Sequence, residues 1–259
     1  MLAERAACLQ LACQALLLAL PDAVVSHVTA ARLLGLPVDA PAETALPVHL
    51  TRPPGCSPVR RPGVVAHVRG LSAGDVVSRH GLRLTAAPRV FLDLAEDLTL
   101  VPLVVLGDAV AGLAGVAALD DAVARAAGRR GVARAREAYR HVDPGAESPG
   151  ETRTRLLLHE AGLPALRHGV RVLVEDGQWL CTPDLADDVA RVAVQYDGLV
   201  HLHRGPRRWQ ADIDRDELAR AAGWEVVGLT SLDLRRPGRA VAKVQAAYGR
   251  AAARGLHSR

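Results

Sequence analysis

The sequence has 259 residues, of which 49% are apolar, which excludes a disordered chain and leaves room for two folded domains. The net charge of +4 is spread evenly, with 15 arginines against 13 acids in residues 1–143 and 17 basic residues against 15 acids in residues 144–259. No polybasic or acidic tail exists, so any nucleic-acid contact must come from a folded patch.

The first segment, "MLAERAACLQLACQALLLALP", has the length of a signal peptide without its pattern. Glu4 cancels Arg5, and Gln10 and Gln14 interrupt the apolar run. It is too short and too polar to span a bilayer, so we expect a buried amphipathic helix and no membrane association. "SHVTAARLLGLP" follows as a short helix, with Ser26 or Thr29 as N-cap and Gly35 as stop. "LPVHLTR" and "GVVAHVR" alternate as strands around the turn-rich "PPGCSPVRRP", and "HGLRLT" is a further short strand. "APRVFLDLAEDL", "LVPLVVLGDAVAGL" and the Ala- and Arg-rich stretch from 117 to 141 read as helices. "VDPGAESPG" (142–150) concentrates Pro and Gly, and we place a domain boundary there, giving domains 1–143 and 144–259.

The second half opens with a helix over 149–161 that ends at Gly162. The strand "GVRVLVE" turns through Asp176-Gly177 into "QWLCTPDL", and "VARVAVQYD" forms a third strand. A charged helix over 206–222, a fourth strand "WEVVGLT" and a closing helix over 238–253 complete an αβββαβα order in one sheet. The fold expected overall is α/β: a mixed α/β domain followed by this αβββαβα domain.

The chemistry-bearing residues gather in the second domain. Alternation puts Val192, Val194 and Tyr196 on one face of the third strand and Arg191, Ala193, Gln195 and Asp197 on the other. Asp184, on the preceding strand, is in reach of Gln195 and Asp197 across the hairpin. Paired carboxylates suit Mg²⁺, a hard ion that keeps several waters. The plain alternative is that Asp184, Asp187 and Asp188 solvate a turn. Glu151 is likewise explained by a capping box, Ser148-Pro149-Gly150-Glu151, although a carboxylate there could also face a metal. His201 and His203 share a face if extended but lack a third ligand at suitable spacing. Arg204, Arg207 and Arg208 beside them could contact a nucleic-acid backbone or simply mark an exposed helix start. The four cysteines are scattered, which fits a reducing cytoplasm, and Lys243 is the single lysine available to any lysine-based chemistry.

Taken in order, "SPGETRTRLLLHEAGLP", "TPDLADDVARVAVQYDGLVHLH" and "WQADIDRDELARAAGWEVVGLTSLDL" resemble a domain common in actinobacterial proteins and related to very-short-patch-repair endonucleases. That domain belongs to the PD-(D/E)XK nuclease superfamily, and the likeness covers roughly residues 145–250. The resemblance implies a restriction-endonuclease-like fold, with Glu151 and Asp184 as acids of an Mg²⁺- or Mn²⁺-dependent site and His201 as the histidine after the "YDG" turn. It also implies that Asp197 takes the place of the superfamily's lysine. Gln195 stands where members usually carry glutamate. Asp212, Arg215 and Asp216 fall on the family's charged helix, and Gly223-Trp224 matches its "GW".

Residues 20–115, through "AVVSHVTAARLLGLP", "LPVHLTRPPG", "GVVAHVRGL" and "GLRLTAAPRVFLDLAEDL", are similar to the C-terminal part of abortive-infection-type antitoxins of type IV toxin–antitoxin systems. Such antitoxins usually begin with a DNA-binding winged helix-turn-helix, and we expect this domain to lack that head. The resemblances together imply an endonuclease-like DNA-binding protein whose Mg²⁺ phosphodiesterase site is weakened by Gln195. The alternative they imply is a non-catalytic antitoxin-like regulator in toxin–antitoxin or phage defence, with a toxin as partner.

Overall fold

The computed structural model describes residues 2–38, 47–173, 177–197, 214 and 216–257. It is an α/β structure in two compact units, Met1–Pro144 and Gly145–Arg259, divided within the Pro- and Gly-rich segment 142–150. No helix among the described residues is long and apolar enough to cross a membrane.

In unit 1, α1 (Leu2–Ala19) forms over the expected stretch but is not a buried helix. Cys13 and Leu16 are buried, whereas Leu11 and Leu18 face solvent. Its apolar residues are spread around the helix rather than gathered in one stripe, so only one side can pack at a time. The sheet has the order β3-β2-β1-β5-β4. Its centre is β1 (Val24–Val25), antiparallel to β2 (Val48–Arg52) and parallel to β5 (Leu82–Thr85). At the edges, β3 (Val64–Val68) runs parallel to β2, and β4 (Val76–Arg79) forms a hairpin with β5.

Helix α2 (His27–Leu34) follows β1 at once and stops at Gly35, whose φ of 77° supplies the left-handed cap. α3 (Ala87–Leu94), α4 (Leu100–Ala114), α5 (Val116–Ala124) and α6 (Val132–Tyr139) pack on one another. Leu103, Leu106, Val110, Phe91 and Leu119 are all fully withdrawn from water, each contributing about 1.5–3 kcal/mol. Gly107 lets α4 close on α3, since a Cβ there would meet Val142 at 2.6 Å and Phe91 at 3.1 Å. Arg89, fully buried, donates to Asp93 at 2.7 Å and to Asp75 at 3.1 Å, tying α3 to the 3-10 turn Ala73–Asp75.

Unit 2 opens with α7 (Pro149–Glu160). The expected single sheet divides in two. Among the described residues, β6 (Val172–Leu173) pairs with β7 (Trp179–Cys181), while β8 (Leu185–Asp187), β9 (Val192–Asp197) and β10 (Glu225–Thr230) form a separate sheet. The anticipated strand "QWLCTPDL" breaks at residues 182–184 because Pro183 has no N–H for the ladder. β8 and β9 are antiparallel, and β10 is parallel to β9 through a crossover containing α8 (216–221). α9 (Ser231–Leu234) and α10 (Pro237–His257) follow.

Alternation along β9 divides the core as its sequence requires. Val192 and Val194 join Leu185, Val227, Leu229, Leu158 and the α10 residues Ala240, Val244 and Ala247. Ala193 turns to the opposite face with Val172, Cys181, Ala186, Ala219 and Trp224. The alanines on α10 are small enough for the helix to lie close against the sheet. Its outer end is fixed by Arg250 and Arg254, which pair with Glu225 and hold that carboxyl below its usual range despite burial.

Candidate active site

The first turn of α7 carries the first acid. Ser148 Oγ accepts the Glu151 N–H at 3.2 Å, and Pro149 takes the first helical position, where its missing N–H costs nothing. The reciprocal half of the expected capping box is displaced by one residue. Glu151 Oε2 accepts from the Glu147 N–H at 2.8 Å rather than from Ser148. Gly150 is needed for a different reason: a Cβ there would lie inside the ring of Tyr196 on β9. Tyr196 therefore packs against the helix start, where Glu151 is itself buried.

Asp184 enters from the break between β7 and β8. Its Oδ2 accepts the Tyr196 N–H at 2.6 Å, one step beyond the Leu185↔Val194 pair, so it replaces a ladder bond opposite Gln195. Burial pushes the Asp184 carboxyl up to about 6, and the charges of Glu151 and Asp197 push in the same direction. The Tyr196 N–H and His168 oppose the rise. Asp184 thus senses Glu151 from α7 and Asp197 from the end of β9.

His168 was not foreseen. Its Nε2 lies 4.0 Å from Glu151 Oε2, and its side chain is only 5% exposed. The segment that carries it is fixed by paired backbone bonds between Arg167 and Ala186, both 2.9 Å. No motif marks this histidine in the sequence; a two-bond bridge in a loop puts it there.

The other residues singled out in the sequence divide clearly. Asp187 Oδ1 accepts from the N–H groups of Val189 and Ala190, and its Oδ2 accepts from the Tyr248 hydroxyl at 3.1 Å, so it joins the hairpin turn to α10. Asp188 pairs with Arg167 at the surface. Gln195 is half-buried and Asp197 exposed. His201, His203, Arg204, Arg207, Arg208, Asp212 and Arg215 lie outside the described residues.

Among the described residues, Oδ1 of Asp184 and Oε1 of Glu151 accept no hydrogen bond, and each remains able to face a cation. This donor set suits a hard divalent ion held by one or two carboxylates and otherwise by water. Among the described residues the acids do not close into a compact three-ligand cage. The one group of His, Cys, Asp or Glu whose ligand atoms lie within 4.8 Å of one another, among the described residues, is His27, His49 and His67 in unit 1.

Two uncharacterized proteins of Mycobacterium tuberculosis, from strains CDC 1551 / Oshkosh and ATCC 25618 / H37Rv, are each 33% identical over 134 residues. The match covers 49% of this chain and 46% of each relative, so the chain spans less than half the length of the curated relatives it matches. Neither a family model nor a solved structure matches the chain.

Proposed function

We propose that unit 2 is a DNA-binding, endonuclease-like module of the restriction-endonuclease type, with a weakened divalent-cation site. The observation that carries the reading is the environment of Asp184: a partly buried carboxyl, hydrogen-bonded to the Tyr196 N–H, whose proton affinity is raised first by burial and then by the charges of Glu151 and Asp197. Like charges gathered in this way are relieved by a cation. Asp184 and Glu151 would hold Mg²⁺ or Mn²⁺, with Asp197 adding charge from the rim. Such an ion polarises a phosphodiester and lowers the pKa of a bound water.

The chain's own groups have separate tasks in this reading. The Tyr196 N–H fixes the rotamer of Asp184, and the Glu147 N–H fixes that of Glu151. His168 places an imidazole 4.0 Å from Glu151 Oε2. Arg204, Arg207 and Arg208 are proposed to hold the phosphate backbone, with His201 beside them. Gln195 keeps the size of a glutamate but removes one negative charge opposite Asp184, which lowers cation affinity.

A second reading has support from the same residues. Among the described residues the acids do not close to a three-ligand cage, and Gln195 removes charge, which favours a non-catalytic regulator in an antitoxin-like protein with a toxin as partner. One experiment separates the two. Plasmid and single-stranded DNA are incubated with the protein in Mg²⁺ or Mn²⁺, beside Asp184→Ala and Gln195→Glu. We expect slow nicking that Asp184→Ala abolishes and Gln195→Glu accelerates. DNA binding with no cleavage by any variant would leave the regulator, and neither cleavage nor DNA binding would end the nuclease reading.

A further inference from the structure

Unit 1 contains a histidine cluster that the nuclease reading does not use. His49 on β2 and His67 on β3 share a sheet face, since His67 pairs with Thr51 and His49 is two residues earlier on the same strand. His27, the first residue of α2, lies over that face. Its ring stacks on His67 with centroids 3.5 Å apart and stands 5.8 Å from His49.

The nitrogens converge. His49 Nδ1 and His67 Nε2 are 3.1 Å apart, and the ligand atoms of all three lie within 4.8 Å of one another. Two imidazoles bound to one tetrahedral ion at about 2.0–2.1 Å place their nitrogens about 3.3 Å apart. The His49–His67 pair is close to that spacing, with ring centroids 5.3 Å apart and planes inclined by 23°. His27 completes the set by swinging off its 3.5 Å stack on His67, because two imidazoles bound to one tetrahedral ion have ring centroids about 5 Å apart.

The supporting contacts are those of a held ligand. His27 Nδ1 meets Ser26 Oγ at 2.9 Å, and that oxygen accepts from the Thr51 hydroxyl at 2.8 Å. With Nδ1 engaged, Nε2 is the nitrogen left to bind. Ser26 is the N-cap of α2, yet it makes no side-chain cap bond; its hydroxyl is committed to His27 and Thr51 instead. The Thr29 hydroxyl accepts the His49 N–H at 2.9 Å. His27 also adopts a φ of +52°, a left-handed conformation costly for a residue with a Cβ, while its side chain is buried. Burial keeps all three imidazoles below their usual pKa, and they are neutral, the form that binds metal, at neutral pH.

We propose that His27, His49 and His67 form a binding site for a borderline divalent transition ion of the Zn²⁺ class, with three imidazole ligands and a fourth position open to water. Imidazole donors select such ions over Mg²⁺ and Ca²⁺, so this site and the carboxylate site draw on different metals. The ion would join the start of α2 to two strands of the sheet.

The test uses the whole chain, stripped of metal with a chelator and titrated with Co²⁺ and then Zn²⁺. One equivalent of Co²⁺ should give the intense visible bands of a four-coordinate ion, and Zn²⁺ should displace it. His49→Gln and His67→Gln should each weaken binding by about 100-fold, while Asp184→Ala and the His201→Gln/His203→Gln pair leave it unchanged. Circular dichroism at each point separates loss of a ligand from loss of the fold, and if a variant unfolds, the spectrum of the parent decides. Absence of those bands in the folded parent would overturn the proposal, as would retained binding in folded His67→Gln or loss in the His201→Gln/His203→Gln pair.

Discussion

Replacing Asp184 by asparagine should stabilise unit 2 at alkaline pH. The amide keeps an oxygen for the Tyr196 N–H and removes the charge that burial, Glu151 and Asp197 all disfavour. A carboxyl raised from 3.8 to about 6 carries roughly 3 kcal/mol of strain in its ionised form. Solvent access to a partly exposed group reduces this to about 2 kcal/mol. The sign follows from linkage: the folded unit holds this proton more tightly than the unfolded chain, so the stability it contributes is present below 3.8 and is lost as pH rises through about 6. The variant should therefore be more stable than the parent at pH 8, and the gap should close toward pH 4. The assay is urea denaturation followed by tryptophan fluorescence, because Trp179, Trp209 and Trp224 are the only tryptophans and all lie in unit 2. Added Mg²⁺ should raise the parent's midpoint at pH 8 and leave the variant's unmoved. An Asp184→Asn midpoint at or below the parent's at pH 8, or a gain that persists unchanged at pH 4, would refute the electrostatic account.

Gly150→Ala should destabilise unit 2 by about 3 kcal/mol, because its Cβ meets the Tyr196 ring; the same fluorescence transition reads it, and Tyr196→Ala in the same chain should recover part of the loss. Asp187→Ala removes acceptors for Val189, Ala190 and Tyr248 and should cost about 2 kcal/mol, measured by the urea midpoint. Unit 1 should weaken in acid. His27, held down to about 3 first by burial and then by His67 and His49, stays neutral in the folded unit while the unfolded chain protonates below 6.5. Stability is then full above 6.5 and falls by about 1.4 kcal/mol per pH unit toward 3 from this residue alone. Calorimetry should show that slope flattened in His27→Gln.

What the sequence disclosed and what it hid follow from the range of each interaction. The end of α2 was legible because Gly35 acts locally, and β9 was legible because six residues are enough to display alternation. β1 was not, since two residues cannot show a period, and its place comes from pairing with strands far along the chain. Pro183 was visible, yet its effect in splitting one strand between two sheets was not drawn from it. In the candidate site, spacing alone left Asp184 as a turn residue and Glu151 as a helix cap, and only the family resemblance grouped them; the charges of Glu151 and Asp197 are both felt at Asp184. His168 and the His27–His49–His67 cluster carried no spacing signal. The first depends on a single bridge to Ala186, and the second on a parallel strand pair that places His49 beside a residue 18 positions later.

The parallel pairing of β9 with β10 also governs the order in which unit 2 can be made. Val192 must wait for Glu225, 33 residues further on, before its strand gains its second neighbour. The same core is then closed by Ala240, Val244 and Ala247 from α10. A nascent chain that has reached only β9 presents Val192 and Val194 covered only by Leu158, Leu163, Leu166 and Leu185 of their final cluster, and closing so long a loop is slow compared with forming a hairpin. During synthesis, unit 2 passes through a period when its central strand is an adhesive edge. Chaperone dependence and yield on expression should therefore be set by how soon α10 emerges, more than by the stability of the finished sheet.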